Sequence, residues 1–235
     1  MRTGSILPTS ATHTLLVIAT RNRGKCRELA AYLRRPGLLI RSLRAFPRAL
    51  RVVEDGHTFA ANARKKALAI ARATGHLAIG DDSGLRVDAL HGAPGVRSAR
   101  FAGPSATDEQ NNAKLLRVLR GVPASRRGAA FHCALAVADP AGWVCVVEGR
   151  CAGTIAEAPR GRHGFGYDPL FILPRYGRTF GELGARYKAR WSHRAQAARR
   201  ARLIVAEYLR VRGAHPARGR KSRPARVRAA ARVGT

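Results

Sequence analysis

Two carboxylates stand side by side in Ala78-Ile79-Gly80-Asp81-Asp82-Ser83-Gly84-Leu85, in a chain with 14 acidic residues against 44 basic ones. Adjacent like charges raise each other's proton affinity. A divalent cation removes that cost, because hard ions such as Mg²⁺ take carboxylate oxygens and share them with substrate phosphates. The plain alternative is a solvated Asp-Asp turn, with Gly84 supplying the bend. Four other segments are dense in side chains that do chemistry. Thr20-Arg21-Asn22-Arg23-Gly24-Lys25 has the make-up of a phosphate loop, without the spacing of a Walker motif. Glu54 stands just before Gly56, Thr58 and Phe59, and Asn62 and Lys66 follow. Residues 161–168 read G-R-H-G-F-G-Y-D, which sets Phe165 and Tyr167 among glycines and ends on Asp168. Ser192-His193-Arg194 lies four residues after Lys188.

These groups need elements to position them. The apolar run Leu15 to Ala19 predicts a buried strand. A Gly-containing loop and a helix over Lys25–Leu33 follow, with Cys26, Leu29, Ala30 and Leu33 on one face. That order offers backbone N–H groups and the positive end of a helix to an anion. A second helix is expected from about Thr58 to Thr74, capped by Thr58 or Asp55 and stopped by Gly75. A strand over 76–80 then delivers the Asp pair to a strand end. A helix is expected near 107–120, then strands over Ala129–Ala138, Trp143–Glu148 and Cys151–Ala158. A short strand at Leu170–Leu173 and a long helix from about Ser192 to Val211 complete the pattern. Mixed elements with hairpin strands in the second half argue for an α/β domain with a mixed sheet.

Residues 14–211 read as one domain, after a polar N-terminal extension at 1–13. From 212 to 235 the composition is Arg, Ala, Gly and Pro, which cannot offset the entropy of ordering, so a basic disordered tail is expected. Hydrophobic residues make up 46% of the chain, a globular value. No apolar run approaches the ~20 residues that span a bilayer, and Leu15–Ala19 is too short for an export signal. A cytoplasmic protein without membrane partners is expected. Cys26, Cys133, Cys145 and Cys151 lack C-x-x-C spacing, and reduced thiols fit a cytosol. A zinc site at His132 and Cys133 is disfavoured, since neighbours on a strand point to opposite faces. Of the net charge of +30, residues 211–235 supply +8, so the body is basic throughout. Phosphate-bearing partners are favoured over a base-reading module, because aromatic residues are 6% of the chain and show no alternation with basic ones.

Taken in order, T-x-N-x-G-K, E-x-G-x-T-F-x-x-N-A-x-x-K-A, D-D-S-G-L-x-V-D-x-L-x-G-A-P-G-x-x-S-A-R, G-F-G-Y-D-P and S-H-R resemble the Ham1 family of non-standard purine nucleoside triphosphate pyrophosphatases. The similarity runs from about Leu15 to Leu209. It implies Mg²⁺-dependent hydrolysis of dITP, ITP and XTP to a monophosphate and pyrophosphate. It also implies a homodimer with two lobes around a central cleft on a long, twisted mixed sheet.

By the same resemblance, Thr20, Asn22 and Lys25 match the triphosphate loop, with Arg21, Arg23 and Gly24 between them. Glu54 and Asp82 match metal-binding carboxylates, with Asp81 beside them, and Asp82 is also the implied proton acceptor. Asn62, Lys66, Ser83, Phe165, Gly166, Tyr167 and Asp168 match substrate contacts, and Lys188, His193 and Arg194 match base-side and phosphate contacts. Two departures stand out: Arg21 replaces a frequent Gly, and Ala61 replaces a frequent acid. Two other readings stay open. One is a house-cleaning enzyme for modified pyrimidine nucleotides. The other is a basic nucleic-acid-binding protein with a vestigial pocket, with the tail making weak polyanion contacts.

Overall fold

The computed structural model describes residues 13–46 and 52–214. The expected N-terminal extension, but for His13, and residues 215–235 of the expected tail lie outside the described residues. In chain order the elements are β1 (Thr14–Ile18), α1 (Arg23–Leu33), β2 (Leu38–Ser42), α2 (Phe59–Thr74), β3 (Leu77–Val87), α3 (Asp108–Val118), β4 (Gly128–Ala138), β5 (Val144–Ile155), β6 (Phe171–Leu173), β7 (Arg178–Thr179), α4 (Phe180–Trp191) and α5 (His193–Ala214). One seven-stranded sheet has the order β2-β1-β3-β4-β5-β6-β7. β1 runs parallel to β2 and β3, and every later pairing is antiparallel.

Local chemistry accounts for much of this. Asn22 caps α1 by accepting from the Lys25 N–H at 2.9 Å, and Thr58 caps α2 by accepting from Ala61. Gly75 ends α2 in the left-handed region at φ 70°, where glycine carries no Cβ penalty. Ser192 accepts from the Ala195 N–H at the start of α5.

Three expectations are corrected. The strand expected over 76–80 runs on to Val87, so the Asp pair sits within a strand and not at its end. Asp, Ser and Gly are depleted in strands, which hid it, but a continuous ladder to β4 from Ala78 to Val87 holds it extended. The strands expected at 143–148 and 151–158 are a single β5, in register with β4 through Gly149 and Arg150. Gly149 is no breaker: a Cβ there would collide with the His193 carbonyl and lie 2.7 Å from the Ala197 nitrogen. β2, β7 and α4 also form where no element was anticipated. Each is short or interrupted, and α4 is broken at Gly184, whose φ is 75°.

The long strands β3, β4 and β5 pass through two lobes. In one, Leu16, Ile18, Ile79 and Leu135 pack under α1 and α5 on one sheet face. Ala63, Ala67 and Ile70 of α2 pack on Val17, Ala78 and Ala136 on the other. In the second lobe, Leu85, Phe131, Phe171 and Phe180 form a separate core with Leu115 and Leu119.

Candidate active site

β1 pairs with β3 only as far as Ile79, so β3 has no strand on that side from Gly80 to Leu85. The loop at the carboxyl end of β1, where ligands characteristically sit in open α/β sheets, leads into α1 beside this open edge. Lys25, in the first turn of α1, reaches it with its Nζ 2.7 Å from Asp81 Oδ1. Burial alone would lower the Lys25 pKa, but Asp81 and Asp82 more than offset it and hold the value above normal.

Asp81 and Asp82 point to opposite faces, as strand alternation requires. Asp81 faces α5: Arg194 Nε donates to its Oδ2 at 2.7 Å, and the Ser83 hydroxyl donates to its Oδ1 at 3.0 Å. Burial opposes its charge, yet Arg194 and Lys25 hold its carboxyl well below the usual carboxylate range. Asp82 faces α2, where Asn62 Nδ2 donates to it at 3.0 Å and Lys66 Nζ lies 3.5 Å away. Burial pushes its pKa up, against the opposing pull of Lys66 and Lys25.

Glu54 joins Asp82 at the same ammonium, with Lys66 Nζ 3.1 Å from its carboxylate. Asn62 fixes the segment that carries it: its Oδ1 accepts from the Gly56 N–H at 2.8 Å, and its Nδ2 donates to the Gly56 carbonyl. The set Glu54, Asp81 and Asp82 is therefore divided, with Asp81 bound to cations on the far face. Among the described residues no group of three or more His, Cys, Asp or Glu could hold a metal ion. Glu54 and Asp82 alone suit a hard ion whose other ligands are water and phosphate.

The ring-side residues meet across the cleft. Phe165 lies against Gly24, where a Cβ would come within 2.5 Å of the ring, and Lys188 Nζ sits 4.4 Å from the ring centroid. Asp168 Oδ2 accepts from Lys188 Nζ at 2.7 Å and from the Phe165 N–H at 2.8 Å. His193 is buried, stacked 4.7 Å from Phe131, with no partner on Nδ1. Burial, reinforced by Arg194 and Lys188, drives its pKa well below normal, so it is neutral.

Not every expected residue lines this cleft. Asn22, Lys25, Ser83, Phe165, Gly166, Tyr167, Asp168, Lys188, His193 and Arg194 do. Thr20, Arg21 and Arg23 line a separate hollow with Arg27 and Arg44, and Glu54, Asn62, Lys66, Asp81 and Asp82 meet at β3 without lining either space. Tyr167 spends its hydroxyl on the Ser98 carbonyl, and Gly166 is pinned by Asp108 and Asn112. Sequence reasoning missed Asp108, Asn112 and Glu28. For Glu28, the scarcity of acids in this chain was the available signal.

The constellation defines a cleft with cations and a helix N-terminus at one end and a ring-and-edge pocket at the other. The sequence model of the Ham1 family matches residues 16–203. The dITP/XTP pyrophosphatase of Desulforamulus reducens is 53% identical over 190 residues, covering 81% of this chain and 94% of that one. That of Geobacillus kaustophilus is 56% identical over 182 residues, 77% and 89% of the two chains. The solved structure of a Ham1 protein from Coxiella burnetii superposes with a TM-score of 0.75 at 38% identity, covering 83% of this chain and 99% of that one. This chain belongs to the Ham1 family.

Proposed function

We propose that the protein hydrolyses non-standard purine nucleoside triphosphates, dITP, ITP and XTP, to the monophosphate and pyrophosphate. The observation that carries this reading is the convergence of Lys25, Asp82, Lys66 and Glu54 at the open edge of β3, beside a neutral His193 and the Lys188–Asp168 pair. Water attacks the α-phosphorus, its proton passes to Asp82, and the bridging oxygen to the β-phosphorus leaves with pyrophosphate. Burial pushes the Asp82 pKa up, the direction that favours taking up a proton. Lys25 and Lys66 offset the charge that grows on the leaving oxygens. Glu54 and Asp82 are the residues that would hold Mg²⁺, which when bound polarises the phosphate and acidifies water.

On the ring side, Phe165 offers a face, while Lys188, His193 and Arg194 offer donors and an acceptor to a purine edge. A ring with the wrong exocyclic group leaves these buried groups unpaired, which discriminates strongly. The proposed setting is a homodimer in a reducing cytoplasm. The four free cysteines suit that setting, and no described helix is long and apolar enough to cross a membrane.

The test is turnover of dITP, XTP, dGTP and dATP with Mg²⁺ and with chelator, with products resolved by anion exchange. Pyrophosphate and dIMP from dITP, with little from dGTP or dATP, are expected. Release of orthophosphate, or equal rates on all four substrates, would overturn the reading.

A further inference from the structure

The hollow that shares no lining residue with the cleft gathers four guanidinium groups, from Arg21, Arg23, Arg27 and Arg44, beside Thr20 and Ser42. Three pieces of chain supply them. Arg21 comes from the loop after β1, Arg23 and Arg27 from one face of α1, and Arg44 from the turn that follows β2. All four are exposed. None of them takes part in the ion pairs of the described residues. Every Asp and Glu of the chain lies in a described segment, so no acidic side chain elsewhere in the sequence is left to neutralise them. Arg23 and Arg27 stand at i and i+4, where like charges oppose the helix. The arrangement is unfavourable unless an anion enters it.

The surrounding sequence is biased the same way. Residues 21–53 hold ten Lys or Arg and one acid, Glu28, which is spent on Lys188 and Arg194. Arg41, on the edge strand β2, is exposed as well. Cations thus continue past the hollow, which suits a chain of phosphates better than a single ion. Arginine forks and Ser or Thr hydroxyls are the side chains that hold backbone phosphates. No aromatic residue lines the hollow, so it has no platform on which a base could stack. α1 buries Leu29 and Leu33 in the core, and so offers no apolar face to a lipid surface. We propose that this hollow is a docking surface for the sugar-phosphate backbone of a nucleic acid, held by charge and without regard to base sequence. The proposal is independent of the reaction proposed for the cleft.

The test is fluorescence anisotropy of a short DNA duplex with the full chain over a salt series. It compares the unaltered chain, R27Q/R44Q and the control R117Q/R120Q. The control removes the same charge from exposed arginines beside the second-lobe core. Each arginine on a phosphate adds about 0.9 to the slope of log K against log salt. R27Q/R44Q should therefore flatten the slope by about two and weaken binding at least about tenfold at low salt, equally for unrelated sequences. R117Q/R120Q should change both far less. The kcat and KM for dITP should stay unchanged in R27Q/R44Q.

Equal losses in the two double variants would show a diffuse charge effect and overturn the proposal, as would failure of the unaltered chain to bind the duplex at low salt. A raised KM for dITP with duplex binding intact would assign the hollow to the substrate's own phosphates and overturn it too. So would a loss confined to vesicles of phosphatidylserine. If R27Q/R44Q loses its fold by circular dichroism, R44Q carries the test. A slope flatter by about one supports the proposal, and an unchanged slope overturns it.

Discussion

Asp81 and Asp82 are chemically identical neighbours whose environments assign them different work. Asp81 is fully enclosed between Lys25 and Arg194. Removing one partner of such a buried group costs about 3–5 kcal/mol. D81N should therefore lower the urea midpoint sharply, whatever it does to turnover. D82N keeps one oxygen for Asn62 or Lys66 and sets an N–H donor against the other, so it should cost some stability, yet its loss in dITP turnover should be about 10²-fold or more, as for a positioned base. A D82N enzyme with normal turnover would remove Asp82 from the reaction.

The raised pKa of Asp82 adds a pH signature: kcat/KM should fall on the acid side as this base is protonated. His193 makes a second one. It is neutral in the folded protein, while the unfolded chain takes up a proton below about pH 6.5. The unfolded state then binds more protons, so stability falls on acidification from about pH 7. H193F should flatten the stability slope between pH 7 and 5.5, leaving the part due to His132, whose pKa is also lowered by burial and nearby arginines. Denaturation midpoints that shift with pH as steeply in H193F as in the parent would contradict the neutral imidazole.

At the scale of elements, two glycines let helices lie directly on the sheet. Gly80 admits α2, where a Cβ would collide with the Ala63 carbonyl and sit 2.9 Å from the Ala67 nitrogen, and Gly149 admits α5 in the same way. Backbone cannot yield as a flexible side chain does. G80A and G149A should each cost about 1–3 kcal/mol in chemical denaturation, the range for overpacking. G80A should also reduce turnover more than G149A, because Lys66 and Asn62 ride on the displaced α2. The strand expected over 76–80 ended where Asp, Ser and Gly follow, residues depleted in strands, and the strands expected at 143–148 and 151–158 left out Gly149 and Arg150, which β5 runs through. The capped α1, α2 and α5 were legible, because capping residues are local. α4 was not, although Thr179 and Glu182 cap it reciprocally, because the non-helical Gly184 breaks it into two short pieces.

At the scale of the whole molecule, the cleft joins two lobes with separate cores, so a ligand spanning it ties them together. A non-cleavable α,β-imido analogue of dITP, present with Mg²⁺ at about a hundred times its Kd, should add about 2.7 kcal/mol of stability. Chelation should remove most of that gain. Equal thermal midpoints with and without chelator would show that Glu54 and Asp82 hold no ion in the complex.

The order and identity of the chemistry-bearing segments lay in the sequence itself, as did the strand, loop and helix that present Lys25, because these depend on neighbours along the chain. Only the tertiary structure decided that Asp81 and Asp82 serve opposite faces, that Arg21 and Arg23 turn away from the cleft, and that Glu28 meets Arg194 across 166 residues of sequence. The reason is physical: the face a strand residue takes follows from register with a partner strand, and the partner of a buried charge follows from how distant helices pack. Neither is written in any local window of residues.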